Sequence, residues 1–287
     1  MSAPLFREDV LLGNVALVTG GGTGIGVAVA RELARQGATV VIASRKAEHY
    51  ERAAAGLSQE LGRPVLGLQL DIRDRDRVTT AVDEVVTRCG SLDILVNNGG
   101  GQFLCAAEQI SPRGWDAVLA TNLTGTWNLT RQVAERWMLD HGGSIVSVTM
   151  LTERGFPGMA HSVAARAGVQ AMTRTLAVEW ASRGVRCNCV APGIIASSGL
   201  LNYPAGLELG RAQQSYTPAK RLGSCEEVAW TVAFLAGPGG GYVTGQTLCV
   251  DGGRTLWGDT WPIPDPEPLP EVVLPVEPWD QPGDEPG

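Results

Sequence analysis

The chain has 287 residues, 44% of them hydrophobic, which is enough for one sizeable core. Its formal net charge of −7 argues against a protein that grips a phosphate backbone. Seven acidic residues and no Lys or Arg lie between Trp261 and Gly287, so the remainder is close to neutral and the overall acidity says little about any site.

Cysteine usage points to a reducing compartment. The six cysteines (89, 105, 187, 189, 225 and 249) form no C-x-x-C pair and no metal-ligand spacing, and five lie in apolar contexts. No apolar run reaches membrane-spanning length, and residues 1–13 carry no secretory apolar segment. A cytoplasmic protein is expected, with no metal, no nucleic-acid partner and no membrane partner. The chain ends Asp284-Glu-Pro-Gly287, which is no peroxisomal S-K-L address.

In chain order, strand and helix signals alternate. Val15–Thr19 is a short β-branched run that reads as a buried strand. It leads into Gly20-Gly-Gly-Thr-Gly-Ile-Gly26, where glycines allow a sharp turn and bring backbone N–H groups toward an anion. The spacing is T-G-x-x-x-G-I-G rather than the common G-x-G-x-x-G. Helices are expected over 27–36, 47–61, 74–89, 112–140 (broken near Gly125), 164–182 and 226–236. Further strands are expected over 39–44, 65–70, 92–96, 144–149, 185–190 and 246–250. Strands separated by helices imply right-handed crossovers: an α/β, Rossmann-type, doubly wound parallel sheet of seven strands with helices on both faces. One domain is expected over 1–258. Residues 259–287 form a proline-rich acidic tail that cannot be helical and favours an extended chain. The tail is expected to dock up to about Pro270 as an arm laid over a neighbouring subunit, with Trp257, Trp261 and Trp279 as anchors. Beyond Pro270 it is expected to be disordered.

The chemistry gathers at the ends of these strands. After 39–44 comes Arg45-Lys46, where NAD-binding sheets place an acidic residue on the ribose 2′-hydroxyl. Two cations at a helix start oppose the dipole and suit a 2′-phosphate, so NADP(H) is favoured. Asp71 suits the adenine amino group, and Asn97-Asn98-Gly99-Gly100 can line a ribose.

Thr19-Gly20-x3-Gly24-Ile25-Gly26, Asp71-Ile72, Asn97-Asn98-Gly99-Gly100, Thr121-Asn122-Leu123, Ala191-Pro192-Gly193 and Val250-Asp251-Gly252-Gly253 together resemble the short-chain dehydrogenase/reductase family over about residues 11–254. Within it, Ala43-Ser-Arg-Lys46, Asn97-Asn-Gly-Gly-Gly-Gln-Phe103 and His161-Ser-x-Ala-Ala-Arg-Ala-Gly168 resemble the peroxisomal trans-2-enoyl-CoA reductases, with 2,4-dienoyl-CoA reductases similar but less close. The resemblance implies a pyrophosphate loop that includes Gly20, Thr23, Gly24, Ile25 and Gly26. It implies Arg45 and Lys46 on the 2′-phosphate, Asp71 and Ile72 near adenine, and Asn98 and Gly99 near ribose. Pro192-Gly193-Ile194 would lie against the nicotinamide, and Asn122 would order a water in the proton path. A homotetramer through the two long helices is also implied.

The departure from the family pattern is informative. Carbonyl-reducing members carry Tyr-x-x-x-Lys after the fifth strand; here the corresponding residues are Ser162 and Arg166. They share one helix face. A Ser hydroxyl is a far poorer acid than a phenol, and Arg does not release its proton. Arg166 can still hold ribose hydroxyls. The strand-end hydroxyl of the family falls at Thr149 or Met150, of which Thr149 is the chemically able one. Reduction of an enoyl thioester C=C suits these losses, because donors to the thioester oxygen suffice. Thr149, Ser162 and Tyr203 are the candidate donors, and His161 is a possible proton relay or a packing residue. The expected activity is NADPH-dependent reduction of a CoA- or carrier-linked enoyl substrate. The alternatives are a carbonyl or imine reductase, or a silent NADP-binding protein.

Overall fold

Nine strands are present among residues 7–203, 206–258 and 261–280, which a computed structural model describes. In chain order they are β1 Val15–Thr19, β2 Thr39–Ser44, β3 Val65–Gln69, β4 Ile94–Asn97, β5 Gly143–Val148, β6 Val185–Pro192, β7 Ile195–Ala196, β8 Gly223–Ser224 and β9 Thr247–Val250. Seven of them form one parallel sheet in the order β3-β2-β1-β4-β5-β6-β9, and β7 pairs with β8 separately. The seven-stranded, doubly wound expectation is met.

Alternation along each strand divides the apolar residues between two faces. Ala16 and Val18 of β1 pack with Val29, Leu33, Val228 and Val232, which lie on α1 Gly24–Arg35 and α9 Cys225–Ala236. Val15 and Leu17 pack on the other face with Val82, Val85, Leu129 and Val133. Helix α2 is Ala47–Leu61, as expected from its spacing, and α3 is Arg75–Cys89, capped by the Asp74 carboxylate on the Arg77 N–H.

The helix expected to break near Gly125 does not break. It runs as α4 Pro112–Leu119, a wider π-type turn at Ala120–Gly125, α5 Thr126–Val133, a second π-type turn at Ala134–Met138, and α6 Leu139–His141. Gly125 serves packing instead: a Cβ there would lie 2.6 Å from Ile72 Cγ1. Helix α7 spans Ala160–Glu179, starting a turn earlier than expected. Helix α8, Gly206–Ser215, and the β7–β8 pair carry no sequence signal strong enough to read. Both lie in the segment after β6, where tertiary contact rather than periodicity selects the structure.

The proline-rich tail differs from expectation. It docks on its own chain well beyond Pro270, and residues 281–287 lie outside the described residues. Asp265 pairs with Lys220 Nζ at 2.9 Å, and the Pro270 carbonyl accepts from Gln214 Nε2 of α8 at 2.6 Å. Glu277 pairs with Arg31 of α1, whose guanidinium lies 5.6 Å from the Trp279 ring. An acidic, aromatic segment has found a buried and a half-buried cation to neutralise and an apolar surface to cover, which a count of prolines does not reveal. Of the expected anchors, Trp279 packs against the core, Trp257 lies under the Lys220 ammonium at 5.1 Å, and Trp261 remains 74% exposed.

The tail leaves a testable mark at Gly56. A Cβ there would lie 2.2 Å from Trp279 Cε3. A Gly→Ala change inside a helix ordinarily stabilises by about 1 kcal/mol. Here Gly56→Ala is expected to destabilise by about 1–3 kcal/mol through overpacking. In a Trp279→Ala background the same change should raise the melting temperature. Thermal denaturation of the four proteins checks the reversal of sign.

Candidate active site

The strand order reverses between β1 and β4, so the loops after these two strands diverge and open a crevice at the C-terminal edge of the sheet. Gly20 enters the first loop with φ +63° and Gly24 follows with φ +53°, both left-handed. Gly26 lets α1 close onto the loop, since a Cβ there would meet the Gly20 carbonyl oxygen at 2.0 Å. Thr23 makes no side-chain cap bond, and the first turn of α1 carries no acidic residue. The leading N–H groups of α1 are therefore not claimed by a carboxylate or a capping hydroxyl.

Asn98 ties the two loops together. Its amide donates to the Thr19 and Gly20 carbonyls at 3.1 and 3.2 Å, while Thr19 Oγ1 accepts from the Asn98 and Gly99 N–H groups at 3.1 and 2.9 Å. Asn98 thus shapes the glycine loop through its side chain. Asn97 is a structural neighbour, donating to Thr130 Oγ1 at 2.9 Å and Ser147 Oγ at 3.3 Å inside the core.

At the end of β2, Arg45 and Lys46 are both exposed, and Lys46 lies 3.5 Å from Glu48. Asp71 is not a free acceptor. Arg73, which no sequence motif singles out, donates from Nε and its backbone N–H to the Asp71 carboxylate at 2.9 and 3.0 Å. That hydrogen bonding holds Asp71 below the usual carboxylate range, and the nearby Arg45 charge adds to the effect. The Ile72 side chain is buried against Gly125.

On the other side of the crevice, α7 presents Ser162 and Arg166, one turn apart and both buried. The Arg166 guanidinium donates to the Val148 carbonyl at 2.8 Å. A Cβ at Gly100 would lie 2.1 Å from one of its nitrogens, so glycine is what allows the cation to lie against the β4 loop. Burial lowers Arg166 to about 10, and no carboxylate is within ion-pairing distance among the described residues. Arg186 shows what a satisfied half-buried arginine does: it donates to the Leu235, Ala236, Gly237 and Gly240 carbonyls.

Asn122 sits in the first π-type turn and forms a reciprocal pair with Gly101. Its Oδ1 accepts from the Gly101 N–H at 2.9 Å, and its Nδ2 donates to the Gly101 carbonyl at 3.0 Å. The turn is held by Thr126 Oγ1, which donates to the Asn122 carbonyl at 2.9 Å.

Ser162 and Tyr203 are linked through Gln102. Ser162 Oγ donates to Gln102 Oε1 at 2.6 Å, and Gln102 Nε2 donates to Tyr203 Oη at 2.7 Å. Gln102 falls within the 97–103 motif, but no spacing rule connects residues 102, 162 and 203. Thr149 is not part of this group. Its hydroxyl donates to the Val190 carbonyl at 3.3 Å and accepts from Gln170 Nε2 at 3.2 Å. Gln170 also donates to the Met150 carbonyl and accepts from Thr152, so it anchors the whole segment after β5. His161 is fully buried, with its ring edge-on to Phe103 at 4.4 Å. Its Nδ1 accepts from the Ser162 N–H at 2.7 Å, and its Nε2 has no partner among the described residues. No hydrogen bond joins it to Gln102 or Tyr203. Pro192 ends β6 and Gly193 and Ile194 follow it, with the Gly193 N–H bonded to the Val250 carbonyl at 2.9 Å. A Cβ at Gly193 would lie 2.9 Å from Asp251 Cα.

The family model described as Enoyl-(Acyl carrier protein) reductase matches residues 20–255. The chain belongs to the short-chain dehydrogenase/reductase family. Similar proteins include the peroxisomal 2,4-dienoyl-CoA reductase of Danio rerio, named as (3E)-enoyl-CoA-producing, at 40% identity over 88% of this chain and 85% of the relative. A probable 2,4-dienoyl-CoA reductase of Bacillus subtilis is 35% identical over 85% of this chain and 97% of its own. Among solved structures, a citronellol catabolism dehydrogenase (AtuB) of Pseudomonas aeruginosa PAO1 is similar with a TM-score of 0.79 and 41% identity, covering 88% of this chain and 98% of that one. This short-chain reductase is an oxidoreductase, and these curated relatives carry the dienoyl-CoA name that the motifs placed second.

Proposed function

We propose that this short-chain reductase uses NADPH to reduce a C=C conjugated to a thioester carbonyl, in an enoyl-CoA or a 2,4-dienoyl-CoA. The observation that carries this reading is the state of the three candidate donors. Thr149 gives its proton to Val190 and Ser162 gives its proton to Gln102. The Tyr203 hydroxyl accepts from Gln102, and its own proton is not engaged by any described hydrogen bond. The site therefore offers one phenolic hydrogen bond and no acidic pair on α7, which suits an oxygen that gathers charge without leaving as an alcohol. The curated relatives at 35–40% identity are named as reductases of dienoyl thioesters, which supports the same substrate class.

The crevice fits the cofactor. Gly26 keeps the N-terminus of α1 against the glycine loop, where a Cβ would strike the Gly20 carbonyl oxygen, and Arg166 is a buried cation with one hydrogen bond among the described residues. Gly20, Thr23, Gly24, Ile25 and Gly26 would hold the pyrophosphate, and Arg45 and Lys46 the 2′-phosphate. Asn98 and Gly99 would shape the ribose side, Asp71 the adenine end through its Arg73 pair, and Ile72 would contribute only through the core. Arg166 would hold the ribose hydroxyls, and Pro192, Gly193 and Ile194 would wall the nicotinamide. NADPH supplies the hydride when bound. Tyr203 then steadies the charge on the thioester oxygen, Asn122 fixes the Gly101 backbone beside it, and solvent protonates the α-carbon. Ser162 and Thr149 take structural roles in this reading. Assembly as a homotetramer through α4–α6 and α7, and a reducing cytoplasmic setting, complete it. Light scattering tests the assembly. Trp115 and Trp127, each 37% exposed on α4 and α5, would be covered.

Arg45→Glu places an anion where the 2′-phosphate would bind. The preference for NADPH over NADH in kcat/KM should fall by about 10- to 100-fold, the range expected when a charge-assisted hydrogen bond gives way to a repulsion. An unchanged preference removes Arg45 from that role. The activity itself is tested by following NADPH consumption with 2-enoyl-CoA, 2,4-dienoyl-CoA, enoyl-carrier and ketone substrates. Turnover confined to the ketones would overturn the reading.

A further inference from the structure

We infer that Gln102 is a positioning residue that sets the direction of the hydrogen bonds between Ser162 and Tyr203, so that the Tyr203 proton points to the substrate. The inference rests on the function proposed above. A neutral amide is directional: its oxygen only accepts and its NH2 only donates. Here the oxygen end is taken by the Ser162 hydroxyl at 2.6 Å, and the NH2 end donates to the Tyr203 oxygen at 2.7 Å. Ser162 is fully buried, so its proton has a fixed destination, and that fixes which end of the amide faces Tyr203. With its oxygen already accepting, the phenol has its proton left to offer outward. Gln102 is exposed on the crevice side and bridges two segments far apart in sequence, the loop after β4 and the segment after β7.

Gln102→Glu tests this with a side chain of nearly the same shape. An ionised carboxylate only accepts, so it draws in the Tyr203 proton as well as that of Ser162. At neutral pH, kcat with the enoyl thioester should fall about 100-fold, the scale of removing one donor to a developing oxyanion, while NADPH affinity stays as in wild type. The rate should recover as the pH falls and the new carboxyl, with a free-solution pKa of about 4.3, takes up a proton and can donate again. Gln102→Leu should lose rate at every pH, and Gln102→Glu combined with Tyr203→Phe should be no slower than Tyr203→Phe alone. A second readout does not depend on turnover. In protein labelled with carbon-13 at tyrosine Cζ, the Tyr203 resonance should follow the ionisation of the new carboxyl in Gln102→Glu and stay flat over the same pH range in wild type. A wild-type rate in Gln102→Glu at neutral pH, or a Tyr203 resonance blind to residue 102, overturns the inference. If wild type reduces no enoyl thioester, the functional reading fails, and the resonance still decides the role of Gln102.

Discussion

Arg166→Met is expected to abolish efficient turnover with NADPH while leaving the unliganded protein as heat-stable as wild type or slightly more so. Arg166 is buried on α7, and its guanidinium has one hydrogen bond, to the Val148 carbonyl, among the described residues. Burial is the first cause that pushes the Arg166 guanidinium down to about 10, and the shift corresponds to a destabilisation on the order of 3 kcal/mol in the unliganded fold. The sign follows from linkage. Below pH 10 both folded and unfolded chains keep the proton, so the full penalty stands. It shrinks only as the pH rises above about 10 toward the ordinary guanidinium range, where the folded chain loses its proton first. A methionine of similar length removes the penalty at neutral pH, and about 1 kcal/mol is returned by the lost bond to Val148. NADPH affinity should fall about 10- to 100-fold, because charge-assisted bonds to the ribose vanish. Calorimetric melting and NADPH titration check the two halves. A large fall in melting temperature would show Arg166 to be structural, like Arg186.

Gly26→Ala should do the reverse on stability and the same on binding. The new methyl would lie 2.0 Å from the Gly20 carbonyl oxygen and 2.6 Å from Asn98 Nδ2. The oxygen is backbone and cannot swing aside, so α1 must withdraw from the loop. Overpacking of this kind destabilises by about 1–3 kcal/mol, and withdrawing α1 also moves its N–H groups away from the pyrophosphate. The melting temperature should drop by several degrees, and NADPH should no longer saturate. Gly101→Ala is the control for stability: it has no atom within 4 Å of a new Cβ, and its melting temperature should match wild type. If Gly26→Ala binds NADPH normally, the glycine loop is not the pyrophosphate site.

The sheet is legible in the sequence because its signal is local. β1, β2 and α2 fall on the expected residues, since β-branched runs and helical spacing are set within each segment. Residues 120–125 show the limit. Gly125 reads as a breaker from composition, yet it is the surface on which Ile72 packs, and Asn122 lies where the helix widens into its π-type turn. The site divides the same way. The glycine loop is read from its spacing, and the α7 pair from the family resemblance. Gln102, Arg73 and the docked tail cannot, because each matters through a partner distant in sequence or through a charge that needs neutralising. Thr149 and Ser162 read as free hydroxyls in the sequence, whereas the fold gives each an acceptor.

The most direct test of the central claim is where the hydride goes. NADPH carrying deuterium at the transferable C4 position is incubated with the protein and a 2-enoyl-CoA or 2,4-dienoyl-CoA, and the product is mapped by mass spectrometry and NMR. The account predicts one deuterium on a carbon of the former conjugated C=C system, with the thioester carbonyl intact. Deuterium on the former thioester carbon, as in an aldehyde or alcohol product, would contradict it.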